Sequence, residues 1–198
     1  MSLLISRRML LAAGLASWAT KGLAAARPYD LVAERSRVSF IFSFNGAAQT
    51  GTVPVRTADI RVDPDNLAAS SADVTTDIRQ AKAGLLFVKQ ALLSPSVLDA
   101  ENHPIVRYTT TRIILGARGR ISEGAQVDGA LTLRGVTRAL RLNAELTRPA
   151  GTAANDLSVL NIRLTGALSR SEFGAAGFPK LAADRVDLDI LAEIRARG

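Results

Sequence analysis

Hydrophobic and polar residues alternate along most of the chain from residue 29 onward. Between residues 38 and 44, large apolar side chains occupy the even positions, and Phe40, Phe42 and Phe44 are separated by serine or isoleucine. A period of two is typical of a β-strand that buries one face. We therefore expect the three phenylalanines to share one interior surface.

The same alternation predicts further strands with one apolar face. In the strand expected over residues 72–79, Val74 and Ile78 point inward, and Asp77 and Arg79 face water. Because that strand has a single apolar face, this face must turn toward the same interior as the phenylalanines. The remaining strands are predicted over residues 51–62, 105–115, 127–133, 140–146, 157–168 and 185–194.

Two features interrupt the strand pattern. Pro54 falls inside the second predicted strand and indicates a sheet edge or a bulge there. Residues 85–93 do not alternate, and Val88 and Leu92 lie at helical spacing with Phe87 beside them, so a short helix is predicted. Phe87 and Leu92 would then close one end of the interior.

The predicted elements define an all-β fold. About eight antiparallel strands with a single inserted helix, and no alternation of strands with helices, imply a closed barrel or a sandwich. The stretch between residues 149 and 156 is a loop rather than a domain linker, so residues 27–198 are expected to form one domain. An eight-stranded barrel is wide enough to hold one small or narrow ligand.

The first 26 residues are typical of an export signal. Arg7 and Arg8 precede a run of Ala, Leu and Gly, and Ala24, Ala25 and Ala26 end the segment. The arginine pair resembles a twin-arginine signal. We expect cleavage near Ala26 and a periplasmic protein; the alternative is an amphipathic first helix of the domain.

Charge narrows the set of partners. The chain of 198 residues carries a formal net charge of +7, and removing residues 1–26 takes away three cations and no acid, which leaves +4. No patch interleaves aromatic residues with Lys or Arg, so no nucleic-acid partner is expected. A mildly basic surface leaves open a transient attraction to anionic membranes.

Several short motifs occur in a fixed order behind the export signal. They are Tyr29-Asp30-Leu31, Leu93-Ser94-Pro95, the run from Leu98 to Pro104, the run Gly129-Ala130-Leu131-Thr132-Leu133-Arg134-Gly135-Val136-Thr137-Arg138, and Ser169-Arg170-Ser171-Glu172-Phe173-Gly174. Together these motifs resemble the YceI-like family of bacterial periplasmic proteins. The resemblance implies an extended, antiparallel, eight-stranded lipocalin-like barrel that binds a polyisoprenoid chain non-covalently.

The residues offer little for catalysis or metal binding. The chain has one histidine and no cysteine, and it has no Gly-x-Ser-x-Gly elbow. His103 precedes Pro104 and is expected to be a solvated turn residue. We therefore predict no catalytic residues, no metal site and no cofactor.

Arg170 is the one charge that the sequence singles out, because it ends an apolar strand and Phe173 follows it. One interpretation places its cation at the barrel mouth, where it meets a polar or phosphorylated head group. The other interpretation has it satisfying backbone carbonyls of the turn. The candidate lipid-binding residues are Phe40, Phe42, Phe44, Val74, Ile78, Phe87, Leu92, Arg170 and Phe173.

Three functions remain at this stage. The first is sequestration of an isoprenoid-type lipid, either a polyprenyl chain or a quinone with an isoprenoid tail. The second is a stress-response or interaction protein whose barrel interior is filled by side chains. The third, most remote, is an esterase or isomerase with an unfamiliar site. A cavity distinguishes the first two, and the sequence leaves a homodimer open.

Overall fold

The computed structural model describes residues 26–84, 86–116, 123–153 and 155–198. The export signal predicted for residues 1–26 lies outside the described residues, except for Ala26. The described residues form eleven strands: β1 (Arg27–Leu31), β2 (Arg37–Phe44), β3 (Ala47–Val53), β4 (Val55–Val62), β5 (Ser71–Asp77), β6 (Lys82–Ala83), β7 (Ile105–Leu115), β8 (Ala125–Leu133), β9 (Val136–Thr147), β10 (Val159–Ser169) and β11 (Ala182–Ala196). One α-helix, α1 (Leu86–Leu93), follows β6.

Eight strands close into a barrel. The order β1-β4-β5-β7-β8-β9-β10-β11 is completed by pairing of β11 with β1, and every pairing is antiparallel. The other three strands, β2, β3 and β6, extend this sheet from the long strand β11. Closure removes the exposed edges that an open sheet would have. The predicted eight-stranded barrel with one inserted helix is confirmed.

The long C-terminal strands form the most regular part of the wall. The ladder between β10 and β11 runs without a register shift from Val159 paired with Arg195 to Ser169 paired with Arg185. From Val186 to Ile194 of β11, apolar residues at the even positions alternate with charged residues except at Leu191, and this pattern directs Leu188 and the residues in step with it into the barrel. The pairing of β11 with β10 is regular along this face, whereas its pairing with β2 shifts register between Ala182 and Val186.

The first hairpin is broken on both of its arms. A 3-10 turn, Ala33–Arg35, separates β1 from β2, and Pro54 separates β3 from β4. Proline has no backbone N–H to donate to a ladder, so pairing fails where it stands. The sequence indicated an edge or a bulge at Pro54. The structure has a break there between two strands of the same sheet, and the β4–β5 ladder shifts register directly after it, between Val55 and Thr57, as at a bulge.

Helix α1 and the turns after it cover one end of the barrel. The helix begins at Leu86, one residue later than predicted, and Leu85 lies outside the described residues. Backbone N–H groups of Leu98 and Ala100 donate to carbonyls of the last helical turn, both at 3.1 Å. Buried side chains tie this cap to the strands: Val53, Ile78, Ala81, Leu98 and Ala100.

The packed core is divided into separate clusters. The cap holds one, and a second lies at the opposite end, around Tyr29, Val62, Leu160 and Ile194. There the Tyr29 hydroxyl donates to the Leu157 carbonyl at 2.6 Å. A third lies against the wall formed by β8 and β9 and contains Leu131, Leu140, Leu142 and Phe173. Fully packed side chains therefore concentrate at the two ends and on one wall.

The end of β5 differs from the sequence prediction. The strand stops at Asp77, and Ile78 begins a 3-10 turn that reaches Gln80. The turn forms because the Ile78 N–H donates to the Pro104 carbonyl at 2.8 Å and the Arg79 N–H donates to the Asp77 carboxylate at 3.1 Å. Asp77 was expected to face water and is instead buried, with the Arg79 guanidinium holding its pKa at about 2.

No helix among the described residues is long and apolar enough to cross a lipid bilayer.

Candidate functional site

A cavity of about 300 Å³ lies inside the barrel. Its wall is made of aliphatic and aromatic side chains, and the described residues that add a polar side chain are Ser36, Thr76, Tyr108 and Arg170. The volume is at the lower end of the range typical of small-molecule sites. The barrel is therefore hollow rather than filled.

Two polar side chains of the wall, Ser36 and Tyr108, form hydrogen bonds with the backbone. The Ser36 hydroxyl donates to the Val32 carbonyl at 2.7 Å and accepts the Glu193 N–H at 3.2 Å. The Tyr108 hydroxyl donates to the Val127 carbonyl at 3.0 Å, and burial raises the pKa of this phenol to about 12. Because these groups are already hydrogen-bonded, they leave the cavity surface essentially apolar.

The three phenylalanines of β2 all line the cavity. The rings of Phe40 and Phe42 stack with their centroids 6.1 Å apart and their planes 18° from parallel. All three are only half-buried, although they point into the barrel, since their faces border open space instead of other side chains. The predicted shared face is thus a cavity wall.

Three further candidates from the sequence also belong to the wall. Val74 reaches it from β5, Ile78 from the 3-10 turn that follows β5, and Leu92 from helix α1. Ile78 is buried in the cap cluster at the same time, so it supports the fold as well as the cavity. The strand β5 and the helix therefore converge on the same space as β2.

Two candidates lie elsewhere. Phe173 is 2% exposed and packs with Leu131 and Leu142 in the wall cluster, outside the cavity surface. Phe87 is 55% exposed at the start of α1, and its ring centroid is 6.4 Å from that of Phe44. Phe87 therefore lies at the outer margin of the barrel end and does not line the cavity.

Arg170 is a structural residue of its turn. Its guanidinium donates to the carbonyls of Ala183 at 3.0 Å, Gly177 at 2.8 Å and Ala182 at 2.9 Å, and to that of Ala175 as well. The side chain is buried and borders one end of the cavity. Since four backbone carbonyls already occupy the guanidinium, the interpretation as a turn-stabilising arginine is the one that fits the geometry.

Sequence reasoning did not single out the opposite wall of the cavity. That wall comes from the later strands and includes Leu131, Leu142, Leu164, Leu188 and Ile190. Period-two patterning was present in these strands and could have assigned each residue to the interior face. Patterning alone does not separate residues that pack on each other from residues that border open space.

Exposed apolar side chains surround the capped end of the barrel, and we call this group the rim: Leu86, Phe87, Phe178 and Leu181. Their exposures range from 41% for Phe178 to 74% for Leu86. Phe178 also lines the cavity, so the rim adjoins the interior. The Asn45 N–H donates to the Leu181 carbonyl at 2.7 Å, which fixes the rim against the tip of the β2–β3 hairpin.

His103 occupies the turn before β7, and its Nε2 lies 3.9 Å from the Asp99 carboxylate. Its side chain is 40% exposed, as expected for a solvated turn histidine. Within the described ranges, no three acidic or histidine side chains group together as metal ligands would.

Comparison with known proteins places this architecture in a family. A family model described as YceI-like domain matches residues 29–194. A UPF0312 protein of Vibrio cholerae is 26% identical over 179 residues, which cover 82% of this chain and 93% of the relative.

Solved structures show the same fold. BcnA of Burkholderia cenocepacia superimposes with a TM-score of 0.72 at 17% identity, covering 83% of this chain and 99% of that one. A polyisoprenoid binding domain from Saccharophagus degradans, implicated in plant cell wall breakdown, superimposes with a TM-score of 0.60 at 14% identity, covering 86% and 99%. With the family model spanning most of its length, the chain belongs to the YceI-like domain family.

Proposed function

We propose that this YceI-like protein binds the hydrocarbon chain of an isoprenoid-type lipid inside its barrel. The observation that carries the proposal is the cavity itself, which is enclosed by apolar side chains from β2, β5, α1 and the later strands. Burial of apolar surface contributes about 25 cal/mol per Å², so a long hydrocarbon gains affinity there with few polar contacts. The neighbouring fold from Saccharophagus degradans, described as polyisoprenoid binding, supports the same ligand class.

The open interior argues against the rival hypothesis of a filled barrel. In a packed core, side chains such as Phe42 and Leu188 would be enclosed on all sides. Both remain half-buried because they border the cavity. An apolar wall of this kind stabilises a bound hydrocarbon, whereas a protein that acts only through its outer surface does not need an open apolar interior.

The polar groups of the wall bear on which isoprenoid fits. Tyr108 and Ser36 direct their hydroxyls to backbone carbonyls, so they provide little for the carbonyl oxygens of a quinone ring. A plain polyprenyl chain therefore suits the interior better than a quinone head would. A quinone remains compatible if its ring stays outside and only its isoprenoid tail enters.

We propose that the rim is the place where lipid passes between a membrane and the cavity. Four exposed apolar side chains in one place form a surface that would partition into a lipid interface. Lys180 adjoins Leu181 in sequence, and Lys89 lies on α1, so cations accompany the apolar residues and favour an anionic membrane. This contact is proposed to be transient.

We propose a periplasmic location, on the basis of residues 1–26. Replacing Arg7 and Arg8 by lysine is expected to leave precursor in the cytoplasm if the twin-arginine route is used. Cell fractionation and the N-terminal sequence of the exported form measure this. Normal export of the double variant would reject the route, and retention of residues 1–26 in mature protein would reject the signal.

The binding proposal is tested with two variants on one strand. Phe42→Gln places a polar group in the cavity wall, which costs about 1–3 kcal/mol of desolvation and occupies ligand volume. Ile41→Gln makes a similar change on the opposite face of β2, away from the cavity. We expect Phe42→Gln to lower the isoprenoid bound per protein several-fold more than Ile41→Gln.

The measurement is native mass spectrometry of exported protein, together with uptake of a polyprenol from vesicles and a melting curve for each variant. Loss of lipid without a matching loss of thermal stability supports the proposal. Wild type that carries no isoprenoid and takes none from vesicles overturns it. Equal lipid loss in both variants would also overturn it, because the cavity face would then have no special role.

A further inference from the structure

The cavity inside the barrel is long and narrow. It is bordered by Ala182 at one end of β11 and by Ile194 near the other end. At about 3.3 Å per residue, the strand between them measures about 40 Å, which is about 30 Å along the axis of a barrel whose strands tilt by about 40°. A volume of about 300 Å³ distributed over that length is a channel in which a hydrocarbon chain lies extended and does not fold back on itself.

One end of this channel stops on four consecutive strands of the wall, β4, β1, β11 and β10. On each strand, one apolar residue is the last that borders the cavity, and we call these four residues the floor: Ile60, Leu31, Ile194 and Ile162. The residue two positions farther along each strand packs in the cluster behind the floor and does not border the cavity: Val62, Tyr29, Ala196 and Leu160.

The packing behind the floor closes this end of the barrel. Leu160 and Ile194 are 0% exposed, and Tyr29 is 3% exposed. The hydrogen bond from the Tyr29 hydroxyl to the Leu157 carbonyl holds the phenol ring in the cluster. At the rim, by contrast, Phe178 borders the cavity and is still 41% exposed. A chain that enters from the rim therefore meets a closed end.

We propose that the floor limits the number of isoprene units that the cavity accepts, so that the protein selects polyprenyl chains by length. This inference rests on the proposed binding of an isoprenoid chain. A chain shorter than the channel leaves part of it empty and loses contacts with the wall. A chain longer than the channel keeps apolar units in water, which costs about tenfold or more in affinity for each unit.

The test presents vesicles that contain an equimolar mixture of polyprenols of increasing length to the purified mature protein. Native mass spectrometry then identifies the polyprenols that the protein has taken up. Because the bilayer and the cavity are both apolar, a unit that fits gains little on transfer, whereas a unit that protrudes into water is penalised. Wild type is therefore expected to carry a narrow range of lengths around one preferred chain.

Two variants move the floor in opposite directions. Ile60→Ala/Ile162→Ala removes about six carbon atoms, slightly more than the five of one isoprene unit, so the preferred chain should become about one unit longer. Ile162→Phe adds about three carbon atoms to the channel and should lower the share of the longest bound chains by about tenfold or more.

The matched control is Val62→Ala/Leu160→Ala, on the same two strands. It removes about five carbon atoms from the cluster behind the floor and leaves all four floor residues in place, so the preferred chain length should stay that of wild type. A melting curve for each variant establishes that it is folded at the temperature of the binding measurement. If Ile60→Ala/Ile162→Ala does not fold, Ile162→Phe decides, because it fills open channel space instead of removing packed atoms.

Every outcome bears on one of the two proposals. A preferred length that rises in the first variant and falls in Ile162→Phe supports the floor as the limit. Uptake that does not depend on chain length, or a preferred length that Ile162→Phe leaves unchanged, overturns the floor as the limit and leaves hydrocarbon binding in place. An equal lengthening in the control variant also overturns it, because the limit would then lie elsewhere. Wild type that takes up no polyprenol of any length overturns both proposals.

Discussion

Gly51 provides a direct test of whether the barrel interior is open. It lies opposite Phe40 in the β2–β3 ladder, and the Phe40 ring covers the position that a side chain would take. A Cβ added to Gly51 would overlap the ring, at 2.8 Å from Cε1 and closer still to Cζ. All of the nearest atoms belong to the tip of one side chain, and that side chain borders the cavity.

The expected energy of Gly51→Ala is small. The tip of the ring must move by about 1.5 Å to restore ordinary contact distances. Turning an aromatic side chain about 30° from its rotamer costs about 0.5–1.5 kcal/mol, and replacing glycine by alanine in a compatible backbone recovers about 0.4–1 kcal/mol. The net change in the free energy of unfolding should lie within about 1 kcal/mol, or roughly 2–4 °C in Tm for a domain of this size.

Gly129 is the matched control, because an aromatic ring covers it too. There the added Cβ would be 2.5 Å from the Tyr108 hydroxyl oxygen and 2.7 Å from the Thr109 carbonyl oxygen. The backbone oxygen cannot move freely, and the Tyr108 ring is held by its hydrogen bond to the Val127 carbonyl. Overpacking at about 1–3 kcal/mol and a disrupted hydrogen bond at about 1 kcal/mol predict a loss of about 2–4 kcal/mol.

The assay is thermal and urea unfolding of the two glycine variants beside wild type. Phe40→Leu combined with Gly51→Ala should remove the remaining overlap. The double variant should therefore lose less stability than the sum of the losses in the two single variants. If Gly51→Ala destabilises the protein as much as Gly129→Ala, the Phe40 ring has no space to enter. The interior would then be packed, and lipid binding inside it would be refuted together with the reasoning.

Three further predictions concern charged and polar groups. Arg141 and Arg112 hold the pKa of Asp128 at about 2, below its ordinary value. The contribution of the Asp128 carboxylate to the free energy of unfolding is therefore complete above about pH 4 and is lost as the pH falls toward 2. Arg141→Gln should raise that pKa in an NMR titration and flatten the loss of stability measured by urea unfolding between these pH values. Burial raises the pKa of Tyr108 to about 12, so the stabilising effect of the neutral phenol is complete below about pH 10 and is lost as the pH rises toward 12. Tyr108→Phe should remove this part of the alkaline loss of stability in melting curves, and an unchanged alkaline profile would contradict the prediction. Arg170→Lys replaces a guanidinium that donates to four backbone carbonyls by a single ammonium, and it should lower the free energy of unfolding by about 2–4 kcal/mol. Unchanged stability together with lost lipid binding would instead restore the head-group interpretation of Arg170.

The strands were predictable because each long strand shows its own alternation of apolar and polar residues. The alternation along β2, β9 and β11 sets which side faces inward. That pattern fits a sandwich as well as a barrel, and the closed barrel was expected only from the resemblance to the YceI-like family. The helix over residues 86–93 was predictable for the same reason, since the apolar period changes there. The order of motifs from Tyr29 to Gly174 led to the family independently.

What the sequence could not provide depends on contacts between distant segments. Ile78 leaves the strand because its N–H bonds to the carbonyl of Pro104, which is 26 positions away in the chain. Phe173 was placed in the ligand site on the strength of its motif, yet it packs against β8 and β9. The carbonyls that Arg170 binds come from residues 175–183, and no local pattern of residues marks them as acceptors.

The division of the core into clusters explains how a hollow interior can coexist with a stable fold. Ladder hydrogen bonds close the wall all the way round, so the barrel does not need a continuous interior packing to hold its strands. The packed ends, around Ala81 and Leu98 at the cap and around Leu160 and Ile194 at the other end, supply hydrophobic stabilisation at the two margins of the cavity. Side chains between these ends are thereby free to serve as a ligand surface.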